Sequence, residues 1–264
     1  MPSPLYDCDD PAKRVRGIGA AQRALSGGML VVMPTDTVYG LAADAFDAAA
    51  VGALLAAKGR GRDMPVPILV GSMETLGGVA MAGEAAAELV RAFWPGGLTV
   101  VCRQQPSLHW DLGETRGTVG VRMPAHEIAL ELLKKTGPLA VSSANVTGQA
   151  PAATARAARE QFGDAVRVYL EAGPTAAADG SGAVASTIVD VTGEIPRVLR
   201  HGAISLDDLR DVVPETLDVD GSGPERDDAR DDESGPESAP TDADDPVRLE
   251  SGPGVEPGES ETER

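Results

Sequence analysis

Short apolar segments alternate with helix-forming segments through most of the chain, and this alternation restricts the fold more than any other feature. Residues 29–33, 67–70 and 98–102 are apolar runs that begin or end at Gly or Pro, which is typical of buried strands. Because the connections between segments have irregular lengths, the pattern predicts a layered α/β (α+β) domain with a mixed sheet. Further strands are predicted at residues 118–122, 139–141, 166–170, 186–191 and 197–199, and helices at 11–25, 48–57, 84–93, 127–135 and 154–162.

Capping residues define several of the predicted helix ends. Asp10 precedes a proline, a residue that is tolerated at the first helical position. Asp47 begins a short helix that places Lys58 at its C-terminal end. Ser205 and Asp208 have the spacing of a capping box with Asp in the last position.

The C-terminal fifth of the chain differs from the rest in composition. Residues 214–264 hold 18 of the 41 acidic residues but only 4 of the 23 basic residues, and therefore −14 of the formal net charge of −18. They are rich in Pro, Gly, Ser and Asp and contain no aromatic residue. Such a segment cannot bury enough apolar surface to offset the entropy lost on ordering. The sequence therefore predicts a folded domain at residues 1–213, followed by a disordered acidic tail at 214–264.

The acidity and the scarcity of lysine do not identify a function. Only four lysines occur, a bias that is typical of proteins from salt-loving (halophilic) organisms. A high-GC genome gives a similar bias, so both interpretations stay open. The acidity argues against broad nonspecific binding of nucleic acid at low salt, although an acidic protein can carry a local basic cleft.

The cysteines and the N-terminus point to an intracellular protein. Cys8 and Cys102 form no motif, and we interpret them as unrelated reduced thiols. Residues 1–10 are polar and acidic, unlike a signal peptide. No apolar run approaches the roughly 20 residues that are needed to span a bilayer. We therefore expect a cytoplasmic protein that makes no use of a membrane.

Two polar clusters are candidates for a ligand site. Lys58, Arg60 and Arg62 place three cations at the end of a predicted helix, and the segment 142–145 (Ser-Ser-Ala-Asn) follows a predicted strand. Cations, hydroxyls and amides near a glycine-containing backbone suit a phosphate and a polar small molecule. A solvated surface for the cations, and a turn or helix cap for residues 142–145, are the alternative interpretations.

Arg122 and Arg200 stand at the ends of otherwise apolar strands, where a cation needs an anionic partner. That partner is either a ligand or a carboxylate of the protein. His109, His126 and His201 have no metal-ligand spacing. The chain contains neither a Walker-type loop nor a nucleophile elbow. These residues favour catalysis by positioning and charge neutralisation, as in phosphoryl or nucleotidyl transfer.

Seven motifs occur in one order along the chain: PTDTVYGL at 34–41, KGR at 58–60, WPGGLT at 94–99, VGVRMP at 119–124, SANVTG at 143–148, STIVD at 186–190 and LRHGA at 199–203. In this order they resemble the YrdC family, from about residue 13 to 205. The resemblance implies a twisted mixed β-sheet flanked by helices, with a concave basic cleft. It also implies an L-threonylcarbamoyladenylate synthase, which converts L-threonine, bicarbonate and ATP to threonylcarbamoyl-AMP and pyrophosphate.

The resemblance further implies roles for individual residues and for partners. Mg²⁺ is expected with ATP, and a downstream complex is expected to transfer the threonylcarbamoyl group to tRNA, while direct tRNA binding stays open. By motif, the residues that handle ATP phosphates and the intermediate are Lys58, Arg60, Ser143 and Asn145. Those on the threonine side are Thr35, Arg122 and Ser186. Further nucleotide contacts are Thr118, Arg200 and Arg62.

Three features depart from the family pattern. Asp36 stands where Glu is common, and Gly71 stands where many members have His, so one threonine contact is missing or replaced. An acidic tail takes the place of the extra C-terminal domain of longer members, which indicates the short form. The alternatives are a YrdC-like RNA-binding protein without synthase activity, a carbamoyl-transfer module like that of hydrogenase maturation proteins, and a pure interaction protein.

Overall fold

The computed structural model describes residues 3–175 and 184–224. Within these ranges the chain forms eleven β-strands and seven α-helices. The strands are β1 (Leu5–Asp7), β2 (Val31–Met33), β3 (Gly40–Asp44), β4 (Ile68–Leu69), β5 (Ala80–Met81), β6 (Leu98–Gln104), β7 (Thr118–Arg122), β8 (Leu139–Ser143), β9 (Val168–Glu171), β10 (Thr187–Asp190) and β11 (Arg197–Arg200). The helices are α1 (Pro11–Ser26), α2 (Ala48–Lys58), α3 (Met73–Val79), α4 (Glu84–Phe93), α5 (Glu127–Thr136), α6 (Ala155–Phe162) and α7 (Leu206–Val212).

The strands form one mixed sheet. Its order is β1-β9-β2-β3-β8-β4-β7-β6-β10-β11, and β5 pairs with the end of β6 that β10 does not reach. The pairs β1/β9, β9/β2, β4/β7 and β6/β10 are parallel, and the other pairs are antiparallel. The prediction of a twisted mixed sheet flanked by helices is confirmed.

The two faces of the sheet are covered unequally. Alternate residues such as Leu41, Val100 and Val121 belong to one core cluster, which also contains residues of α2, α3, α4, α6 and α7. The residues between them face the other way, where Ala42 and Val141 belong to a second cluster with residues of α1 and α5. This second cluster includes β2, β3, β4, β8 and β9 but no residue of β6, β7 or β10. The second face is therefore covered at one half of the sheet and open at the other.

Every helix and strand that the sequence predicts is present, within two residues of its predicted bounds. The capping residues explain the helix starts. Asp10 Oδ1 accepts from the backbone N–H groups of Ala12 at 2.9 Å and Lys13 at 3.1 Å, and Asp47 caps α2 in the same way. Ser205 and Asp208 form a complete capping box at the start of α7. These side chains satisfy N–H groups that have no partner within the helix.

Four elements were not predicted, namely β1, β3, α3 and β5. The strand β3 is the instructive one, because its sequence GLAAD contains residue types that are depleted in strands. It forms because its backbone pairs on both sides, with β2 and with β8. Tertiary pairing therefore overrides local propensity at the point where the segment 34–40 enters the sheet.

The predicted domain boundary at residue 213 is wrong for the segment that follows it. Thr216 is fully buried, and Arg210 Nε donates to its carbonyl oxygen at 3.1 Å. Leu217 exchanges backbone hydrogen bonds with the strand β11 region, donating to Pro196 and accepting from Val198, both at 2.9 Å. Residues 214–224 thus belong to the folded unit. The prediction of disorder for residues 225–264 lies outside the described residues.

Within the described ranges, no helix has the length and apolar character that a bilayer crossing requires. Cys8 and Cys102 are both free and buried. Burial raises the pKa of Cys8 to about 11 and that of Cys102 to about 12. Neither thiol therefore forms an appreciable thiolate at neutral pH, and the interpretation of two unrelated reduced thiols is supported.

Candidate active site

A cleft of about 360 Å³ lies on the half of the second sheet face that α1 and α5 leave open. Residues of β6, β7, β8 and β10 contribute to it, together with the loops after β2 and α2. Among the described residues, the lining contains hydroxyls, apolar side chains and three arginines but no Asp or Glu. Such a lining suits an anionic ligand. The polar side chains used below are those of Thr35, Thr37, Arg60, Thr99, Arg122, Ser143, Ser186 and Arg200.

Lys58 lies beside this cleft and is completely buried at the end of α2. Its Nζ donates to the carbonyl oxygen of Ser143 at 2.5 Å and to that of Asn145 at 2.6 Å. Burial, reinforced by the charge of Arg60, lowers the pKa of Lys58 from 10.5 to about 8. The alternative interpretation of a solvated surface cation does not apply to this residue. Lys58 instead ties α2 to the loop that follows β8.

That loop is further held by Asn145. Its Nδ2 donates to the carbonyl oxygens of Val146 at 3.0 Å and Gln149 at 2.7 Å. Asn145 is buried and does not line the cleft, whereas Ser143 does. The structure therefore divides the predicted set: Lys58 and Asn145 shape the loop, and the loop presents Ser143 to a ligand.

Arg60 and Arg200 are neighbouring cations of the cleft lining. The buried Nε of Arg60 has no hydrogen-bond partner among the described residues. Arg200 donates to the carbonyl oxygen of Ser186 from NH2 at 2.7 Å and from Nε at 3.2 Å. Burial lowers the pKa of Arg200, and the charge of Arg60 lowers it further. Two neighbouring cations, one with an unsatisfied donor, indicate the place of an anionic ligand.

Arg122 stands further along the same face, at the end of β7. Its NH2 donates to Asp36 Oδ1 at 2.6 Å, its NH1 to Thr37 Oγ1 at 2.7 Å and its Nε to the carbonyl oxygen of Gly96 at 2.9 Å. Burial lowers the pKa of Arg122, and the Asp36 carboxylate opposes this shift. The ion-pair interpretation is thus correct for Arg122. Of the five N–H groups of its guanidinium, two remain for a ligand in the cleft.

The segment 34–40 is rigid because its side chains bond within it and to β9. Thr35 Oγ1 donates to the carbonyl oxygen of Val38 at 2.6 Å and accepts from the backbone N–H of Thr37 at 3.2 Å. The Tyr39 hydroxyl lies 3.0 Å from Glu171 Oε1. Thr35 is buried at the cleft wall. Its hydroxyl has a fixed orientation because its proton is already donated to the carbonyl oxygen of Val38.

Like Lys58 and Asn145, two further residues assigned to the nucleotide do not line the cleft. Arg62 is exposed and donates to Asp111 Oδ1 at 2.7 Å. Thr118 stands at the opposite end of β7 from Arg122, and its hydroxyl donates to the carbonyl oxygen of Thr115 at 2.8 Å. Their assignment stays a prediction.

Gly71, where many family members have His, packs directly against α5. A Cβ atom at this position would lie 3.1 Å from Leu133 Cβ and 3.2 Å from the backbone nitrogen of Lys134. A side chain at this position would therefore require α5 to shift.

Three polar residues at the site were given no role by the sequence reasoning: Asp36, Thr37 and Thr99. Thr99 offered the clearest signal, since it is a hydroxyl residue between Leu98 and Val100 in a strand with a buried pattern. A buried polar residue in a strand needs a hydrogen-bond partner. Asp36 and Thr37 offered only their place in the segment 34–40, because the ion pair with Arg122 joins residues that are 86 positions apart.

Further cavities occur among the described residues. A smaller one of about 190 Å³ shares Thr35 and Tyr39 with the cleft and is lined partly by Asp36 and His126. A groove of about 530 Å³ along α1 contains none of the predicted site residues. The convergence of cations and hydroxyls selects the cleft.

Comparisons with known proteins bear on this site. The family model for the Sua5, YciO and YrdC proteins, described as telomere recombination, matches residues 23–202. The chain belongs to the Sua5/YrdC family. A putative threonylcarbamoyl-AMP synthase of Mycobacterium tuberculosis (strain CDC 1551 / Oshkosh) is 56% identical over 209 residues, which cover 79% of this chain and 94% of the relative. The threonylcarbamoyl-AMP synthase of Pyrococcus abyssi is 38% identical over 190 residues, which cover 71% of this chain and 54% of that protein.

A solved structure of the Sua5/YrdC family supports the same relationship. The crystal structure of P. abyssi Sua5 complexed with L-threonine matches with a TM-score of 0.73 at 33% identity. The match covers 82% of this chain and 62% of the P. abyssi chain. The chain thus spans less than two thirds of that Sua5 protein.

Proposed function

We propose that this protein is an L-threonylcarbamoyladenylate synthase, a nucleotidyltransferase that makes threonylcarbamoyl-AMP and pyrophosphate from L-threonine, bicarbonate and ATP. One observation carries the proposal. Among the described residues, one cleft without carboxylates is lined by Arg60, Arg200 and the partly satisfied guanidinium of Arg122. Three cations in one cleft suit a substrate with a carboxylate and a second substrate with phosphates. The names of the relatives support the same assignment.

The chemistry requires two bond-forming steps. The amine of threonine attacks bicarbonate, which loses water and leaves N-carboxythreonine. The new carboxylate oxygen then attacks the α-phosphorus of ATP, and the bond from that phosphorus to the β-phosphate bridging oxygen breaks to release pyrophosphate. Negative charge accumulates on the phosphates in this second step. Preorganised cations that stabilise such charge supply much of the rate enhancement in enzymes of this kind.

The residues of the cleft take roles that follow from their geometry. Arg122 holds the threonine carboxylate with the N–H groups that the protein leaves unused. Arg60 and Arg200 bind the ATP phosphates, and one donor is the Nε of Arg60, which has no partner among the described residues. Ser143 donates to the same anionic group, and Lys58 and Asn145 hold its loop in place. Thr35 and Ser186 contact threonine.

Magnesium is proposed as part of the substrate MgATP. No group of three or more His, Cys, Asp or Glu residues able to hold a metal ion occurs in the described ranges. The carboxylate of Asp36, which stands between the cleft residues Thr35 and Thr37, is paired with Arg122. Mg²⁺ is a hard cation that is commonly held by substrate phosphates and water, with few protein ligands. The protein then needs only to bind the complex, without a metal cage of its own.

We further propose that the product passes to a complex that transfers the threonylcarbamoyl group to tRNA in the cytoplasm. Threonylcarbamoyl-AMP is a mixed anhydride, so the group that it carries is activated for transfer to a nucleophile.

The proposal is tested by incubating the full chain with ATP, threonine, bicarbonate and Mg²⁺ and measuring pyrophosphate release. Each component is omitted in turn, and serine replaces threonine in one arm. Release should require threonine and bicarbonate together, and mass spectrometry should detect threonylcarbamoyl-AMP. ATP turnover that ignores threonine would overturn the proposal in favour of a different nucleotide-dependent activity.

A further inference from the structure

Thr99 stands in the floor of the cleft, and neither the motif assignments nor the proposed mechanism gives it a role. It is the second residue of β6, is 3% exposed and points to the open face of the sheet. Its Oγ1 lies 2.8 Å from the Oγ of Ser186, which is 7% exposed. Both hydroxyls thus have little solvent exposure and line the cleft in which a ligand would bind.

The Ser186 hydroxyl takes part in a second hydrogen bond that restricts its proton. Arg200 NH2 donates to Ser186 Oγ at 3.1 Å, so this oxygen is an acceptor towards Arg200. A hydroxyl has one proton and two lone pairs. If Thr99 donates to Ser186 Oγ, both lone pairs are filled, and the proton of Ser186 must point to a third group. The cleft is where that third group would be.

Thr99 is suited to be the donor in this pair. Among the described residues, the Thr99 hydroxyl forms a hydrogen bond with Ser186 alone. A buried hydroxyl with a single neighbour places its proton there when that neighbour can donate elsewhere. A ligand acceptor in the cleft supplies this alternative for Ser186.

We propose that Thr99 is a positioning residue, which orients the Ser186 hydroxyl as a donor to an acceptor oxygen of the amino-acid substrate. The proposal rests on the proposed function, because it uses the threonine side and the nucleotide side of that site. It goes beyond the proposed function because it connects the nucleotide side of the site to the threonine side. Arg200 contacts the phosphates, and the same guanidinium donates to Ser186 Oγ. Nucleotide binding therefore changes the hydrogen bonding of the group that recognises the amino acid, and the two affinities are coupled.

The test compares Thr99→Val, which keeps the shape and removes the hydroxyl, with Thr99→Ser, which keeps the hydroxyl. Thr99→Val should raise the threonine KM by about 10-fold, the usual effect of one lost hydrogen bond to a substrate, and leave the Kd of a non-hydrolysable ATP analogue, measured without threonine, within about twofold. Thr99→Ser should restore the threonine KM to within about threefold of the original. A matched control is Thr136→Val, which removes a hydroxyl bonded to the Leu132 carbonyl at the end of α5.

A double-mutant cycle with Ser186→Ala tests whether Thr99 acts through Ser186. If it does, Thr99→Val should add less than about twofold to the threonine KM in the Ser186→Ala background. The factor by which a non-hydrolysable ATP analogue changes the threonine Kd should also fall towards 1 in Thr99→Val. Should Thr99→Val not fold, as judged by thermal unfolding, Thr99→Ala takes its place in the same cycle.

The possible failures are distinguishable. No threonine-dependent pyrophosphate release by the unmodified protein contradicts the proposed function itself. Normal activity with equal KM values for Thr99→Val and Thr99→Ser contradicts the positioning role alone. A parallel loss of affinity for the ATP analogue in the absence of threonine, or additive effects in the cycle, would show a structural role for Thr99 and overturn the inference.

Discussion

The ammonium group of Lys58 donates a 2.6 Å hydrogen bond to the carbonyl oxygen of Asn145, and this bond joins the end of α2 to the loop after β8. The two residues are 87 positions apart, and both are buried. Because the loop presents Ser143 to the cleft, the geometry of the site depends on a cation that does not line it. Activity and stability are therefore linked at this residue.

Replacing Lys58 by Met should reduce both properties. The carbonyls of Ser143 and Asn145 would lose their donor inside the protein, which destabilises by about 1–3 kcal/mol for each unsatisfied group. The kcat should fall by about 10²-fold, as for loss of a preorganised electrostatic group. Urea unfolding and pyrophosphate release measure the two effects. Arg60→Ala is the matched control, since it should lower kcat similarly while the unfolding midpoint stays close to that of the unmodified protein.

The depressed pKa of Lys58 predicts a dependence of stability on pH. The folded protein releases this proton near pH 8 and the unfolded chain near pH 10.5, so between these values the unfolded state binds more protons. The contribution of Lys58 to the free energy of unfolding should therefore rise with pH across this window, by up to about 3 kcal/mol. The measurement is urea unfolding at several pH values. The difference between the unmodified protein and Lys58→Met isolates this residue, and a pH-independent difference would contradict the assignment.

Loss of the same charge should weaken nucleotide binding. Above about pH 8 the free protein loses one positive charge beside Arg60, where the phosphates are proposed to bind. The affinity for a non-hydrolysable ATP analogue should fall by about 3- to 10-fold as the pH rises through this value. Threonine is left out, so that its own amine does not contribute. Lys58→Met should bind more weakly at pH 7 and show no such step.

Arg122→Lys should impair threonine use selectively. The lysine keeps the charge, but it cannot donate to Asp36, Thr37 and Gly96 together and still present a planar fork to a carboxylate. We expect the threonine KM to rise by about 10-fold or more, with the KM for ATP nearly unchanged. Steady-state kinetics with each substrate varied in turn provide the measurement. An equal rise in both values would indicate general damage to the cleft.

Two truncations should separate the folded unit from the acidic remainder. Deleting residues 225–264 should leave kcat and the unfolding midpoint unchanged, because none of the site residues or core contacts described above lies there. Deleting residues 214–264 should lower the midpoint clearly, since it also removes buried Thr216 and the Leu217 hydrogen bonds. Thermal unfolding and pyrophosphate release of both variants are the readouts. Equal behaviour of the two would contradict the corrected boundary.

Sequence reasoning succeeded where local signals decide the structure. The helix starts at Asp10 and Asp47 follow from side chains that accept hydrogen bonds from residues at most three positions away. Such local signals can be recognised in the sequence before the fold is known. It failed at β3, whose formation depends on pairing with β2 and β8. It also placed residues 214–224 in the tail, because a mainly acidic composition conceals the buried Thr216 and the hydrogen bonds of Leu217 to the β11 region.

The site shows the same division. Arg60, Arg122 and Ser143 could be selected by residue type and motif, and the structure places them in one cleft. The burial of Lys58 and the pairing of Asp36 with Arg122 join parts of the chain that only the folded sheet brings together. A motif states which residue types are present, but not which of them point to the ligand.

The alternation of residues along β6, β7 and β10 restricts how this protein can change. Thr99 and Arg122 face the cleft, while their neighbours Val100 and Val121 are fully buried on the other side. Because successive side chains of a strand point to opposite faces, adding or removing one residue would send a guanidinium into the core and a valine into the cleft. Substitutions can therefore change this site one side chain at a time. Insertions and deletions in these three strands should instead abolish both folding and activity.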